Sequence, residues 1–227
     1  VWSPPSAPAQ LRADAIDKAK QADVVVMVMG ISPVVEGEEM EVNLEGFHGG
    51  DRTDIALPKP QEQLIRDIQA LGKPVVLVLM GGSALAVNWE NEHIPAILHT
   101  WYPGQEGGIA IADALFGDYN PGGRLPVTFY RSVDQLPPFA DYSMKNRTYR
   151  YFHGDPLYPF GFGLSYTSFA YSDLRFPRRL SPRGGRRPVG TENIAIRDDL
   201  ERGKIRTAIG GIGRRGGRRT GPGRSAV

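Results

Sequence analysis

Two short apolar runs, Asp23-Val-Val-Val-Met-Val-Met-Gly30 and Pro74-Val-Val-Leu-Val-Leu-Met80, restrict this chain more than any other feature. Neither alternates polar with apolar residues, so each reads as a strand covered on both faces, the condition of a parallel sheet. Between and around them lie helical patterns. Leu11, Ala15, Ile16 and Ala19 share one face of "LRADAIDKAKQA"; a second helix opens at Pro60 with Leu64, Ile68 and Leu71 on one side, and Gly72 and Pro74 stop it. "PAILHTWY" reads as a third strand. A helix after Pro103-Gly104 carries Ile109, Ala112 and Phe116 and ends at Gly117, and "GRLPVTFY" reads as a fourth strand that Pro126 consigns to an edge. Helices alternating with apolar strands predict an α/β domain, a mostly parallel sheet sandwiched between helices. Such sheets bind ligands at the carboxyl ends of their strands.

The predicted organisation has four parts. Residues 1–10, with Trp2-Ser3-Pro4-Pro5, read as a linker, and 11–134 as the α/β-sandwich domain. Residues 135–176 are rich in Tyr, Phe, Gly and Pro and read as an ordered loop wrapping the body, ending in a strand, "SYTSFAYSDLRF", that wants a β partner. Residues 177–227 read as a disordered Gly/Arg-rich tail. The formal net charge of +2 hides this division. From Arg178 onward there are 14 Lys+Arg against 4 Asp+Glu, and before it 13 against 21. There are no cysteines, which excludes disulfides, thiolate metal sites and cysteine nucleophiles.

The first strand runs into "VVEGEEMEVNLEGFHGGDR", with Glu36, Glu38, Glu39, Glu41 and Glu45 inside ten positions. Parallel topology puts this loop on the ligand-binding edge. Glycosidic bond cleavage needs two carboxyl groups, one to protonate the leaving oxygen and one to attack the anomeric carbon. Crowding raises the pKa of a carboxyl group toward the range of a proton donor. Composition alone favours a solvated acidic loop over a catalytic one. Other chemistries find less support. Gly30-Ile31-Ser32-Pro33 and Gly81-Gly82-Ser83 lack the spacing of a dinucleotide loop. His48, His93, His99 and His153 are scattered, and Ser83 and Ser165 lack a nucleophile elbow. Trp101, Tyr102, Gln105 and Glu106 lie at a strand end but read better as turn and helix start. No metal site and no cofactor are expected. A reading of a different class takes the basic tail as a binder of nucleic acid or another polyanion on a non-catalytic module.

Five phrases, in order, resemble the second domain of glycoside hydrolase family 3, the β-glucosidase and β-xylosidase group: "GISPVVEGEEM…GFHGGDRTDIALP", "GKPVVLVLMGGSALAVNW", "AILHTWYPGQEGG", "ADALFGDYNPGGRLPVTF" and "YRYFHGDPLYPFGFGLSYTSFAYSDL". The resemblance implies an acid/base glutamate in the acidic loop of a retaining exo-acting β-glycosidase. The family's Gly-Glu pattern falls on Gly37-Glu38, so Glu38 ranks first and Glu39, one place along, second, with Glu36 and Glu45 lower. Asp51 and Arg52 are read as bracing the loop through an ion pair. The resemblance puts the nucleophile aspartate on a preceding barrel domain that these 227 residues do not contain, and a fibronectin-like domain after about Ser165–Phe176. It implies a β-linked glycoside substrate, inactivity of this chain alone, and a periplasmic or secreted setting; separately, no apolar run approaches the roughly 18 residues needed to cross a membrane, so no membrane partner is expected.

Overall fold

The computed structural model describes residues 8–172 and 193–197. Helix α1, Pro8–Gln21, starts three residues before the expected domain boundary, with a proline whose missing N–H costs nothing in a first turn. Strand β1, Val25–Gly30, leads into the acidic loop, which contains a small hairpin of β2, Phe47–His48, and β3, Asp51–Arg52. Then follow α2, Lys59–Gln69; β4, Val75–Met80; α3, Asn88–His93; β5, Ala96–His99; and α4, Gly107–Phe116. A 3-10 turn, Val133–Gln135, a single helical turn, α5, Thr148–Tyr151, and two strands, β6, Ser168–Ser172, and β7, Asn193–Arg197, complete the described elements.

The sheet is parallel, in the order β1-β4-β5. Its register pairs Val26 with Val76 and Val28 with Val78 on one side of β4, and Val78 with Leu98 on the other. One face carries Met27, Val75, Leu77 and Leu79, packed with Ala19 of α1 and Ile65 and Ile68 of α2 into the main core. Those positions recur at helical spacing on α2 and at a two-residue period on the strands, which is why the two patterns meet as one apolar layer. β4, at the centre, is buried on both faces.

Two expectations need correction. "GRLPVTFY" does not form a fourth strand. It makes one antiparallel bridge, Phe129 with Tyr158, flanked by Leu125 N–H donating to the Phe162 carbonyl at 2.8 Å. Pro126 has no N–H to give, and the ladder does not extend through it. In α4 the residues facing inward are Gly107 and Ala114, whereas Ile109 and Phe116 are exposed. Within residues 177–227, β7 is the one described element, and it pairs antiparallel with β6. Asn193-Ile-Ala-Ile-Arg197 is a short apolar run with two β-branched isoleucines, lying between arginine-rich segments, a composition compatible with a strand. The rest of that tail, and the linker before Pro8, lie outside the described residues.

The segment after Gln135 is tied to the body at several points. Tyr158 Oη donates to Asn91 Oδ1 at 2.7 Å, Tyr166 Oη donates to the Ala114 carbonyl at 2.7 Å, and Leu157 enters the main core.

Candidate active-site loop at the carboxyl edge of the sheet

Because the three strands are parallel, their carboxyl ends share one edge, and each is followed by a residue that converges there. After β1 comes Glu36, after β4 Ser83 and after β5 Tyr102. Tyr102 Oη donates to Glu36 Oε2 at 2.6 Å and Ser83 Oγ donates to Glu36 Oε1 at 2.9 Å. Behind them, Arg52 of β3 donates to Ser83 Oγ at 3.1 Å, to the Ala84 carbonyl at 3.1 Å and to the Ala56 carbonyl at 2.9 Å. Burial lowers the Arg52 pKa, opposed by the negative charges of Glu36 and Asp54, and an arginine remains a cation in such a setting. Burial, with the hydrogen bond to Glu36 adding to it, pushes the Tyr102 hydroxyl up to about 12, so it stays a donor.

The backbone is shaped to allow this convergence. Gly30 ends β1 at φ 131°, and a Cβ there would lie 1.8 Å from the Met80 carbonyl oxygen. The Gln61 side chain clamps it with two 2.7 Å hydrogen bonds, one to its N–H and one to its carbonyl. At Gly82 a Cβ would meet the Tyr102 ring at 2.8 Å, so the ring lies against bare backbone. Trp101, at φ 56°, turns the chain after β5 in a conformation that is strained for a side-chain-bearing residue.

Glu38 and Glu39 are exposed and line an open cleft with His48, Gly49 and Asp51. Glu39 has φ 52°. The two glutamates form a tip between two backbone anchors. Gly37 N–H donates to the Gly50 carbonyl at 3.2 Å, and Met40 N–H to the Gly49 carbonyl at 2.9 Å. Gly49 and Gly50, at φ 60° and 88°, form the two-residue turn between β2 and β3, which requires left-handed backbone at both positions.

The five glutamates therefore do not act as one cluster. Glu38 and Glu39 share the cleft, Glu36 is engaged inside the protein, and Glu45 forms an exposed ion pair with Lys59. The expected Asp51–Arg52 ion pair is not formed among the described residues. The pleat sends neighbouring side chains to opposite faces, so Asp51 faces the cleft while Arg52 turns inward. Sequence reasoning ranked Glu36 low, dismissed Ser83 for lacking an elbow and read Tyr102 as a turn residue. The available signal was positional, since each follows the end of a buried apolar run. Among the described residues there is no group of three or more His, Cys, Asp and Glu that could hold a metal ion. No helix there is long and apolar enough to cross a membrane.

Comparison with known proteins bears on the whole arrangement. The model of the glycosyl hydrolase family 3 C-terminal domain matches residues 8–166. A xylan 1,4-beta-xylosidase of Xylanibacter ruminicola is 55% identical over 162 residues, covering 71% of this chain and 19% of the relative. A periplasmic beta-glucosidase of Salmonella typhimurium is 43% identical over 200 residues, covering 83% and 25%. Among solved structures, a β-glucosidase from Erythrobacter marinus superimposes with a TM-score of 0.61 at 42% identity, covering 75% of this chain and 23% of that one. The family 3 β-glucosidase of Bifidobacterium adolescentis gives 0.62 at 30% identity, covering 77% and 26%. This chain thus spans about a fifth to a quarter of the length of the curated relatives it matches. The parallel sheet, the loop after its first strand and the match over residues 8–166 agree: the chain belongs to glycoside hydrolase family 3 and carries that family's C-terminal domain.

Proposed function

We propose that this domain supplies the acid/base carboxyl group of a retaining, exo-acting β-glycosidase that cleaves β-xylosides or β-glucosides, and that Glu38 is that group. Relatives named xylosidase and β-glucosidase support the substrate class. The observation that carries the assignment is the contrast between neighbouring carboxylates. Glu36 has both oxygens bonded inside the protein, while Glu38 projects into an open cleft from a loop anchored on each side. Glu39 shares the cleft and is the second choice.

In the reaction, protonated Glu38 gives its proton to the glycosidic oxygen while the nucleophile aspartate of the barrel domain attacks the anomeric carbon and displaces the aglycone. Glu38, now a carboxylate, takes a proton from the water that cleaves the glycosyl-enzyme. General acid catalysis is worth about 10²–10⁴-fold, far less than a glycosidase needs. The nucleophile and most sugar contacts belong to the barrel, so this chain alone does not turn over substrate.

The test is Glu38→Ala in the full-length protein. It should lower cleavage of a disaccharide much more than that of a dinitrophenyl glycoside, whose leaving group needs little protonation. Azide should restore turnover of the dinitrophenyl glycoside by replacing the water that has lost its base. Equal losses on both substrates without rescue would remove Glu38 from the role.

A further inference from the structure

The segment that follows the sheet carries the two most exposed aromatic side chains among the described residues, Phe139 at 96% and Tyr142 at 91%. They stand on a loop tied together from inside. The Arg147 guanidinium is its centre: Nε donates to the Ser143 carbonyl at 3.0 Å, and Nη2 donates to the carbonyls of Pro138, at 3.3 Å, and Asp141. Asp141 Oδ1 accepts from the Ser143 N–H at 2.8 Å, and Asn146 Oδ1 accepts from the His153 N–H at 3.2 Å. Asn146 and Thr148 have φ of 55° and 56°, and for the β-branched Thr148 that backbone is strained. Next along, Tyr149 stacks on Phe160 with centroids 4.3 Å apart, and both rings are exposed. Ordering a loop costs entropy, and strain adds to that cost, yet Phe139 and Tyr142 bury almost nothing within this chain. We propose that residues 138–153 are a preformed docking element for the barrel domain of the same full-length protein, with Phe139 and Tyr142 as its anchors. This rests on the reading above in one respect, that the nucleophile lies on a separate barrel.

Three observations select this occupant. The aligned stretch covers 19% and 25% of two curated relatives, so most of such a protein lies outside it and has to pack somewhere. The family match runs to residue 166 and therefore includes the loop, which makes it part of the shared domain. The loop is also tied to the catalytic edge of the sheet. Phe152, just after α5, meets Tyr130 edge-on at 5.0 Å, and the adjacent Phe129 packs against His99 and Trp101, at 5.3 and 6.1 Å, where β5 ends. That edge has to face the barrel, because the two carboxyl groups of a retaining glycosidase lie only about 5–5.5 Å apart across one bond. A loop fastened there is in position to be covered when the two domains meet. Aromatic side chains on a rigid support lose little freedom when they are covered, and buried aromatics carry a large share of interface energy.

The experiment reads burial and not turnover. Phe139→Cys and Tyr142→Cys are made singly in this chain, which has no cysteine of its own, and in the full-length protein, and iodoacetamide labelling is followed on the peptide that carries each. Labelling should be fast in this chain and about 10-fold or more slower in the full-length protein, with urea removing the difference. Phe139→Asp and Tyr142→Asp give a second measure. They should leave the urea midpoint of this chain unchanged, because both side chains already lie in water, and lower that of the full-length protein. A loss of the same size in both would mean packing within the loop and would overturn the proposal, as would equal labelling rates in the two forms. Slow labelling in this chain, with sedimentation as a dimer, would assign the face to a second copy instead. Protection of the full-length protein that appears only with added xylo-oligosaccharide would assign it to a glycan. No readout here uses activity, so a failed Glu38→Ala test leaves the docking result standing, and a failed docking test leaves the assignment of Glu38 untouched.

Discussion

β1 and β4 are almost the same sequence, Val-Val-Met-Val-Met-Gly against Val-Val-Leu-Val-Leu-Met, and they pair residue for residue. Their surroundings differ. In β4, Val76 and Val78 are at most 2% exposed, whereas their register partners Val26 and Val28 are 47% and 57% exposed. On the opposite face the two strands agree, with Met27 and Leu77 both inside the main core. An apolar run reports how much a strand is able to bury, while its rank in the sheet decides how much it does bury. β4 has a partner on each side, and among the described residues β1 pairs only with β4.

The strongest way to break this comparison is to put the same charge at two paired positions. Val78→Asp introduces a carboxylate at a fully buried site with no partner, and it should cost several kcal/mol, about 3 or more, or leave the chain unfolded. Val28→Asp, one strand across on the same face, should cost less than about 1 kcal/mol, because water already reaches the site. Urea midpoints of the two variants check this. Similar losses at both positions would mean that the exposed face of β1 is covered in solution.

A second, smaller test uses the other flank of the sheet. β5 is also an edge strand, yet its His99 has both ring nitrogens buried without a partner, set edge-on to Trp101 and Phe129 with ring centroids 4.4 and 5.3 Å away. Burial pushes its pKa down from the ordinary 6.5 to about 4. Between those values the unfolded chain binds a proton that the folded chain does not. The stabilising contribution is therefore complete above pH 6.5 and falls as pH drops toward 4, with no further loss from this group below that. His99→Phe keeps a ring between its neighbours and should flatten the stability profile across that window. A profile unchanged by the substitution would show that the imidazole is hydrated.

What could be read in advance follows the same division. The two apolar strands, the parallel sheet and the helices α1, α2 and α4 announce themselves by period and by Gly and Pro punctuation, which are local, whereas the exposed face of β1 does not. The fourth strand failed because whether Leu125 and Phe129 extend into a ladder depends on Tyr158 and Phe162, more than 25 positions away in sequence. The acidic loop stands out in the sequence, and the family resemblance ranks Glu38 first and Glu39 second within it. The frame around it was not legible, because Glu36, Ser83 and Tyr102 become neighbours only when the three strand ends align, at sequence separations of 47 and 66. Arg52 was noticed, but its direction was misread. Which way a residue in a two-residue strand faces is set by the hairpin's register, and the dipeptide Asp-Arg does not contain that information.

The smallest effect concerns the side of β1 that is covered. Arg12 of α1 donates through Nε to Asp67 of α2 at 2.6 Å, the one ion pair among the described residues that joins the two helices. Its side chains are 47% and 22% exposed, so solvent and salt screen it, and pairs of this kind contribute roughly 0–1 kcal/mol. Ala19, Ile65 and Ile68 beneath it, at most 4% exposed, are worth more, since truncating one buried isoleucine to alanine costs about 2–5 kcal/mol. Arg12→Ala should therefore lower stability by less than about 1 kcal/mol, and the difference from the parent chain should shrink further in 0.5 M salt. A loss approaching that of Ile65→Ala would mean that charge, and not apolar packing, holds the helices over the sheet. The exposed face of β1 would then be explained by a missing ion pair and not by missing cover.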